Sequence, residues 1–385
     1  MNKKKIVIDA RPLQHSPHRG LGRYTSNLLD NLLTLGQNND FQLYFDPNFS
    51  IDPQFKRFTE APHTFGVKQP FFMKNDSILY YRYWLKKQFS KLNYDLIHFT
   101  AQIHLPPTLP KNSIITVHDL INFALKNMFY KINFAYQADV KYTRNMLNGA
   151  QKIIAISENT KKDIINILGI DEQKIKVIHQ GIEEHFSNEY SKEETAAVLN
   201  KYKIKQDYLL YYGGCESRKN VSRLIEVFSQ LAKEFIHLKL VIITNLNDPP
   251  THKIQEEVKE LAIENKVSII GQVYDKVLKI LLKNAKLFIM PSLYEGFGLP
   301  PLEANACGTP VISSNASSLP EVLGDAALFF DPLDKKQMYD QIKLGLTNDH
   351  LRRELITRGI KNAQRFSWKK CAEKTVALYE NCYNI

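Results

Sequence analysis

Four side chains of this 385-residue chain suit chemistry on a phosphorylated, hydroxyl-bearing ligand: Arg218, Lys219, Glu295 and Glu303. The two glutamates stand eight positions apart, across Gly296-Phe297-Gly298-Leu299-Pro300-Pro301-Leu302. Gly296 and Gly298 let a backbone turn sharply or approach a ligand closely. Pro300 and Pro301 suit the first turn of a helix, where a missing N–H costs nothing. The apolar run 285–290 comes just before, so the stretch reads as strand, tight loop and helix start. A helix start carries unpaired N–H groups and a partial positive charge, which together bind anions. Anionic oxygens beside two carboxylates point to a ligand with both phosphates and hydroxyls, and a nucleotide-sugar fits that description. A second glycine turn, Gly213-Gly214, runs into Arg218-Lys219. Arg offers phosphate a planar fork and Lys a point charge, each bond contributing about 1.5–3 kcal/mol when desolvated. In the first half, His118-Asp119 follows the apolar run 114–117. Side chains at the C-terminal ends of strands in an open α/β sheet face the ligand crevice. His118 is therefore a candidate reactive-centre residue, with a structural histidine as the alternative.

These residues need strands that end at a common edge. Short apolar runs at 6–8, 41–45, 96–99, 114–117, 152–156 and 174–178 read as one set of strands. Runs at 208–212, 239–244, 266–270, 286–290, 311–313 and 327–330 read as a second set. Helical patterns lie between them. Residues 23–35 carry an apolar face of Leu28, Leu29, Leu32 and Leu33. Ser157-Glu158-Asn159-Thr160 is an N-cap signal for a helix through 168. Residues 135–147, 221–235, 254–263, 277–282, 334–346, 349–365 and 368–383 also read as helices. The alternation gives an α/β chain of two Rossmann-like, doubly wound parallel sheets facing a crevice. Right-handed crossovers put the loops after the strands on one edge of each sheet. Loops at 19–24, 118–120, 213–219 and 291–299 are thus expected to face one cleft. The expected domains are 1–185 and 186–365, joined by a polar linker with an entry helix over 183–205. A terminal helix, 366–385, is expected to pack back toward the first domain.

Hydrophobic content of 44% with 24% charged residues is ordinary for a globular protein. The net charge of +11 is uneven, because residues 1–185 carry 24 Lys and Arg against 16 Asp and Glu. A basic first half points to an acidic partner, whether anionic lipid, phosphorylated substrate or nucleic acid, or else to a solvated surface. Residues 68–91 interleave Phe71, Phe72, Tyr80, Tyr81, Tyr83 and Trp84 with Lys74, Arg82, Lys86 and Lys87. That mixture suits a helix at a membrane interface or a core helix with its basic side in water. With Lys3, Lys4 and Lys5, the segment is expected to dock on anionic lipid. Nucleic acid is disfavoured as a partner, since no nucleic-acid motif is present and Glu295 and Glu303 repel a polyanion. Cys215, Cys307, Cys371 and Cys382 form no C-x-x-C pair and no zinc spacing. They read as reduced thiols of a cytoplasmic protein. Asp9 breaks the first apolar run, which excludes a signal peptide. No run approaches the roughly 18–20 apolar residues of a membrane span. The expected location is the cytoplasm, with peripheral attachment to the inner face of the cell membrane as an option.

Over nearly its whole length the chain resembles the retaining, metal-independent GT-B glycosyltransferases of family 4, the glycosyl transferases group 1. The specific part is Glu295 to Glu303, which looks like the family's E-x7-E signature. Gly213-Gly214 with Arg218-Lys219-Asn220, His118-Asp119, Gly20-Leu21-Gly22-Arg23-Tyr24 and Ser157-Glu158-Asn159-Thr160 add to it. The resemblance implies that Arg218 and Lys219, in the turn of Gly214, hold the donor diphosphate. Backbone N–H groups of Phe297, Gly298 and Leu299 would add to that hold. Glu303 would accept bonds from the ribose and Glu295 from the donor sugar. His118 would lie beside the sugar carbon, Gly22 would let a first-domain loop close over the diphosphate, and Val273 would meet the base. The implied reaction moves a hexose, such as mannose, glucose or galactose, from a GDP- or UDP-sugar to a saccharide or lipid-linked acceptor. The setting would be cell-surface polysaccharide or glycoconjugate synthesis.

No cofactor and no metal is expected, the nucleotide-sugar being a substrate. The chain has no Asp-x-Asp, so Arg218, Lys219 and the helix dipole must stabilise the leaving diphosphate. Family members are thought to react on one face, a donor phosphate oxygen helping to deprotonate the acceptor, which makes Glu295 a positioner rather than a nucleophile. Two departures stand out. Ile243-Thr244-Asn245-Leu246-Asn247 replaces a turn that is often glycine-rich, and Gln180-Gly181 replaces a common Asn-Gly. The alternatives are a nucleotide-sugar 2-epimerase of the same fold and, more remotely, a non-enzymatic basic binding module.

Overall fold

Parallel strands covered on both faces are apolar on both faces, and the strands here follow that rule. Ile6, Val7 and Ile8 are buried in succession, as are all four residues of Leu287–Met290. The computed structural model describes residues 3–17, 20–35, 39–47, 49–60, 64–66, 85–183, 186 and 189–383. The chain divides into two units, residues 1–181 with 367–385 and residues 182–366.

The first unit holds seven strands: β1 (Lys4–Asp9), β2 (Asn39–Phe45), β3 (Thr64–Gly66), β4 (Leu96–Phe99), β5 (Ser113–Val117), β6 (Lys152–Ala155) and β7 (Ile175–Val177). They pair in the order β3-β2-β1-β4-β5-β6-β7, and every pairing is parallel. The second unit holds β8 (Tyr208–Tyr212), β9 (Lys239–Ile243), β10 (Val267–Ile270), β11 (Leu287–Met290), β12 (Val311–Ser314) and β13 (Ala327–Phe330). Their order is β10-β9-β8-β11-β12-β13, again all parallel. The strand order reverses direction between β1 and β4 in one sheet and between β8 and β11 in the other. Ligands of doubly wound sheets bind outside the strand C-termini at such a switch point.

All expected strands are present. The edge strand β3 was not expected, since three residues are too few to show a period. The helix expected from residue 23 instead spans Gly20–Leu35. The loop expected at 19–24 is therefore helical from Gly20 onward, with Gly20 and Gly22 in the first turn. A Cβ on Gly22 would stand 2.2 Å from the Ser16 carbonyl oxygen and 2.7 Å from that of Pro17. Glycine is needed there because the preceding backbone crosses the helix at contact distance. The expected 254–263 helix spans Pro249–Glu260, with Pro249 and Pro250 in the first turn, where proline is tolerated. The helix Trp368–Tyr383 packs on Gly20–Leu35, and the Tyr379 hydroxyl lies 2.6 Å from His98 Nδ1 in the interior of the first unit.

Most of the aromatic and basic segment 68–91 lies outside the described residues. At its end Leu85 and Phe89 are buried in the core of the first sheet. No helix among the described residues is long and apolar enough to cross a membrane. All four cysteines are free and buried.

The contact at Gly22 gives a direct test. Gly22→Ala should lower the free energy of unfolding by on the order of 3 kcal/mol, because a backbone oxygen must move. Gly20→Ala, with nothing within 4 Å of its Cβ position, should be neutral or slightly stabilising. Equal urea midpoints for the two variants would remove this account of the loop.

Candidate active site

In the second unit, β8 runs into Gly213, whose φ of +147° few L side chains adopt. The chain then makes a short 3-10 turn, Ser217–Lys219, and passes through Asn220 in the left-handed region at φ 59°. The Asn220 side-chain amide donates to the carbonyl oxygens of Pro291 and Pro332, at 2.9 Å each. The Leu293 N–H donates to the Arg218 carbonyl at 2.8 Å. These bonds join the loop after β8 to the loop after β11, across the switch point, and to the loop after β13.

Arg218 and Lys219 are thereby brought against Glu295. Lys219 Nζ donates to Glu295 Oε1 at 2.7 Å, and Arg218 Nη1 stands 3.7 Å from Oε2. Lys219 and Glu295 are each 8% exposed, whereas the Arg218 side chain is 23% exposed and is the more open cation. Ser292 Oγ donates to Glu295 Oε1 at 2.6 Å. The Glu295 N–H donates to Ser317 Oγ at 2.7 Å, and Ser318 Oγ lies 2.9 Å from the carbonyl oxygens of both Glu295 and Phe297. Ser317 is itself left-handed at φ 51°, a conformation costing on the order of 1 kcal/mol that the surrounding bonds must offset. Burial by itself would raise the Glu295 carboxyl. The charges of Lys219 and Arg218, with the hydrogen bonds from Lys219 and Ser292, together outweigh it and hold the group below the usual carboxylate range.

The loop ends at Gly298, which caps the helix Leu299–Ala306 with φ 103°. The positive φ favours glycine there, and a Cβ, 2.8 Å from Leu319 Cδ2, would also make that side chain shift. Pro300 and Pro301 occupy the first turn and carry no N–H. The amides facing outward at this helix start are therefore those of Leu299 and the turn before it. Phe297 is buried edge-to-face on Phe366, with centroids 5.6 Å apart. Glu303 is fully buried one turn further on. Gly214 shares the turn of Arg218, and its carbonyl accepts a bond from the Tyr211 hydroxyl. Val273 lies in the loop after β10, which is two strands from β8 in the sheet.

In the first unit, β1 ends at Asp9, whose carboxylate takes a bidentate bond from Arg11 at 2.8 and 2.7 Å, both residues being buried. Thr100, after β4, donates its hydroxyl to the Asp9 carbonyl at 2.7 Å. The Thr100 carbonyl lies 2.9 Å from His118 Nε2. A carbonyl only accepts, so Nε2 carries the hydrogen and Nδ1 keeps the lone pair. Burial pushes the His118 imidazole down from 6.5 to about 4, with the bond to Thr100 partly offsetting it. Its backbone N–H donates to Gln102 Oε1 at 3.0 Å, and Tyr24 meets its ring edge-on at 4.7 Å. His118 is thus a neutral, oriented hydrogen-bond acceptor. A cavity of about 550 Å³ opens nearby, lined by Gln102, His104, Leu105, Asp139, Lys141 and Tyr142.

Of the residues expected from the sequence, Arg218, Lys219 and Glu295 are brought together, Glu303 is buried in the helix that follows, and His118 lies after β5 in the first unit. Sequence reading missed Asn220 as a strut, the serines 292, 317 and 318, and the Asp9–Arg11–Thr100 support of His118. The only available signal was polar residues clustered after strands: Ser313-Ser314 with Ser317-Ser318, and Asp9 with Arg11.

Two family models match this chain, that of the glycosyl transferases group 1 over residues 191–362 and that of glycosyltransferase family 4 over residues 18–186. The chain belongs to the group 1 glycosyltransferases. This transferase is 29% identical over 387 residues to O-antigen chain mannosyltransferase B of Escherichia coli, covering 98% of this chain and 99% of that protein. Sucrose-phosphate synthase from Thermosynechococcus elongatus superposes with a TM-score of 0.76 at 20% identity, over 99% of this chain and 100% of the other. HepE from Anabaena, solved in complex with UDP-glucose, gives 0.75 at 16% identity, over 98% and 100%. The transferase has the GT-B fold of these structures.

The two buried histidines give the transferase an acid-sensitive stability. Burial lowers His98 to about 3, the nearby Asp9 charge partly opposing it. Both imidazoles stay neutral in the folded chain while the unfolded chain protonates near 6.5. Between about pH 6.5 and 4 the unfolded state therefore holds more protons. Stability present above pH 6.5 should be lost as pH falls, by on the order of 3 kcal/mol from His118 alone. Urea unfolding at pH 7.5 and 5.0 measures it, and His118→Asn should flatten the slope. A wild-type stability that does not change between those pH values would contradict the assignment.

Proposed function

We propose that this transferase moves mannose from a nucleotide-activated donor to a saccharide or lipid-linked acceptor, with retention of configuration and without a metal. The second unit holds the donor and the first holds the acceptor, with peripheral attachment to a membrane where the acceptor is lipid-linked. The observation that carries the reading is the convergence of Arg218 and Lys219 on the buried Glu295 at the β8/β11 switch point. Two cations at a switch point suit the leaving diphosphate, whose growing charge is stabilised electrostatically. The full-length likeness to a mannosyltransferase supports mannose as the sugar. HepE, whose structure contains UDP-glucose, shares the fold and so supports a nucleotide-sugar donor.

The ion pairs also suggest how the site answers the donor. A diphosphate competes with Glu295 for Lys219 and Arg218. Once those cations turn to the phosphates, the Glu295 carboxylate is available to hydroxyls of the sugar. Ser292 still holds Oε1, which suits a positioning role and not attack on the sugar carbon. Glu303 is assigned to the ribose, Val273 to the base, and the amides of Phe297 to Leu299 to the phosphates. Neutral His118, with its lone pair on Nδ1, suits a hydroxyl close to the reacting carbon. The cavity beside Gln102 and Tyr142 is assigned to the acceptor.

Purified enzyme, a panel of GDP- and UDP-sugars and a saccharide acceptor test this reading. A mannosyl donor should give both transfer and the largest thermal stabilisation, about 2.7 kcal/mol at a hundred times its Kd. Lys219→Ala and Glu295→Ala should each lose at least about a hundredfold in kcat/KM, while chelator leaves the wild type unchanged. Full activity in either variant, abolition by chelator, or an epimerised donor without acceptor would sink the proposal. A separate expectation concerns Glu295→Gln. It should bind the nucleoside diphosphate more tightly, roughly tenfold for each 1.4 kcal/mol no longer spent on the internal pair, while transfer falls. Calorimetry showing weaker nucleotide binding would refute the competition.

A further inference from the structure

Among the large hydrophobic side chains that stand exposed, four fall within seven residues of the first unit: Met128, Phe129, Ile132 at 66% and Phe134 at 82%. They follow β5 and His118, in the connection made by the short helices Ile121–Ala124 and Lys126–Phe129 and the start of Asn133–Gly149. Their base is firmly built. Phe123 stacks on Tyr130 at 6.2 Å, and Tyr136 meets Tyr130 edge-on at 5.4 Å. The Tyr130 hydroxyl donates to Asp139 at 3.0 Å. Lys126 lies over the Tyr136 ring at 4.6 Å and donates to Asn133 Oδ1 at 2.8 Å.

Two features of this tip are unfavourable for folding alone. Ile132 occupies the N-cap of Asn133–Gly149 and gives no side-chain cap, where Ser, Thr, Asp or Asn is preferred. Phe134, the second residue of that helix, projects into water. Local rules broken without a packing gain mark functional positions. The charge pattern is one-sided as well. Residues 120–138 contain no Asp or Glu but include Lys126 and Lys131, with Asp139 and then Lys141 following.

We infer that residues 128–134, flanked by Lys126, Lys131 and Lys141, form a rigid wedge that docks on an anionic lipid bilayer. The apolar tip enters the headgroup boundary and the lysines attract acidic headgroups, the combination that holds proteins at membrane interfaces. Residues 128–134 carry no carboxylate of their own, and Asp139, which reaches them, accepts from the Tyr130 hydroxyl; an exposed apolar cluster of this kind marks an interaction site. The wedge emerges from the same sheet edge as His118, so docking would bring that edge to the bilayer. The inference deepens the proposed action on a lipid-linked acceptor and rests on that reading for its purpose. Vesicle binding and sugar transfer are measured separately, so the failure of either is distinguishable.

The test is co-sedimentation of the full chain with vesicles of phosphatidylcholine alone or mixed with phosphatidylglycerol, at low and high salt. Wild type should bind the mixed vesicles and be released by salt. Ile132→Ser with Phe134→Ser should weaken binding by on the order of tenfold or more, and each of Lys126→Gln and Lys131→Gln by roughly fivefold. Transfer to a water-soluble acceptor should be unchanged in all of them. Ile132→Ser alone should raise the melting temperature, since serine is the better N-cap, while lowering vesicle binding. A purely structural isoleucine would not behave in that way. Wild type that ignores anionic vesicles, variants that bind as well as wild type, or a solution dimer dissociated by the same substitutions would each overturn the proposal.

Discussion

The buried contact between Lys219 and Glu295 is the constraint around which the second unit is arranged. A carboxylate taken out of water is costly unless opposite charge and hydrogen bonds meet it. Here they come from loops that are far apart in the chain. Lys219 and Arg218 follow β8, Ser292 follows β11, and Ser317 and Ser318 follow β12. Each loop can reach Glu295 only because the strands are parallel and β8 lies beside β11. The fold and the charge cluster thus depend on one another. The sheet order delivers the partners, and the partners compensate for burying the carboxylate beside a polar edge.

The first unit solves a similar problem with a different result. Asp9 and Arg11 satisfy one another inside the protein, and Thr100 connects their strand to His118. The histidine that results is uncharged at neutral pH. It can align with a hydroxyl but adds no positive charge, whereas Arg218 and Lys219 supply two cations in the loop after β8. The first unit thus offers a neutral hydrogen-bond acceptor at the end of β5, and the second a charged cluster at its own switch point.

Much of this was legible in the sequence because the strands are covered on both faces. Runs such as Leu287 to Met290 or Val311 to Ser314 leave little room for another reading, and the Glu295–Glu303 spacing survives translation into loop and helix. What was illegible has a common cause. Asn220 bonds across 71 and 112 residues, Ser317 and Ser318 across about twenty, and a serine or asparagine carries no period that announces such a bond. The packing at Gly22 was illegible for another reason. Glycine marks both mobile turns and tight crossings, and only the position of the Ser16 carbonyl separates them. The apolar tip at Ile132 and Phe134 has no sequence signal of its own, and only its exposure marks it.

The chain leaves the first unit at residue 181 and returns to it at 367. The returning helix, Trp368–Tyr383, closes over Gly20–Leu35 and places the Tyr379 hydroxyl on His98 in the interior. The second unit is thus continuous in sequence and the first is not. During synthesis, residues 182–366 emerge with every strand they need. The first sheet must wait, its flank uncovered and His98 short of a partner, until about two hundred further residues have been made, since domains generally fold as units when their residues become available. The half of the enzyme that is translated first is therefore the half that is completed last.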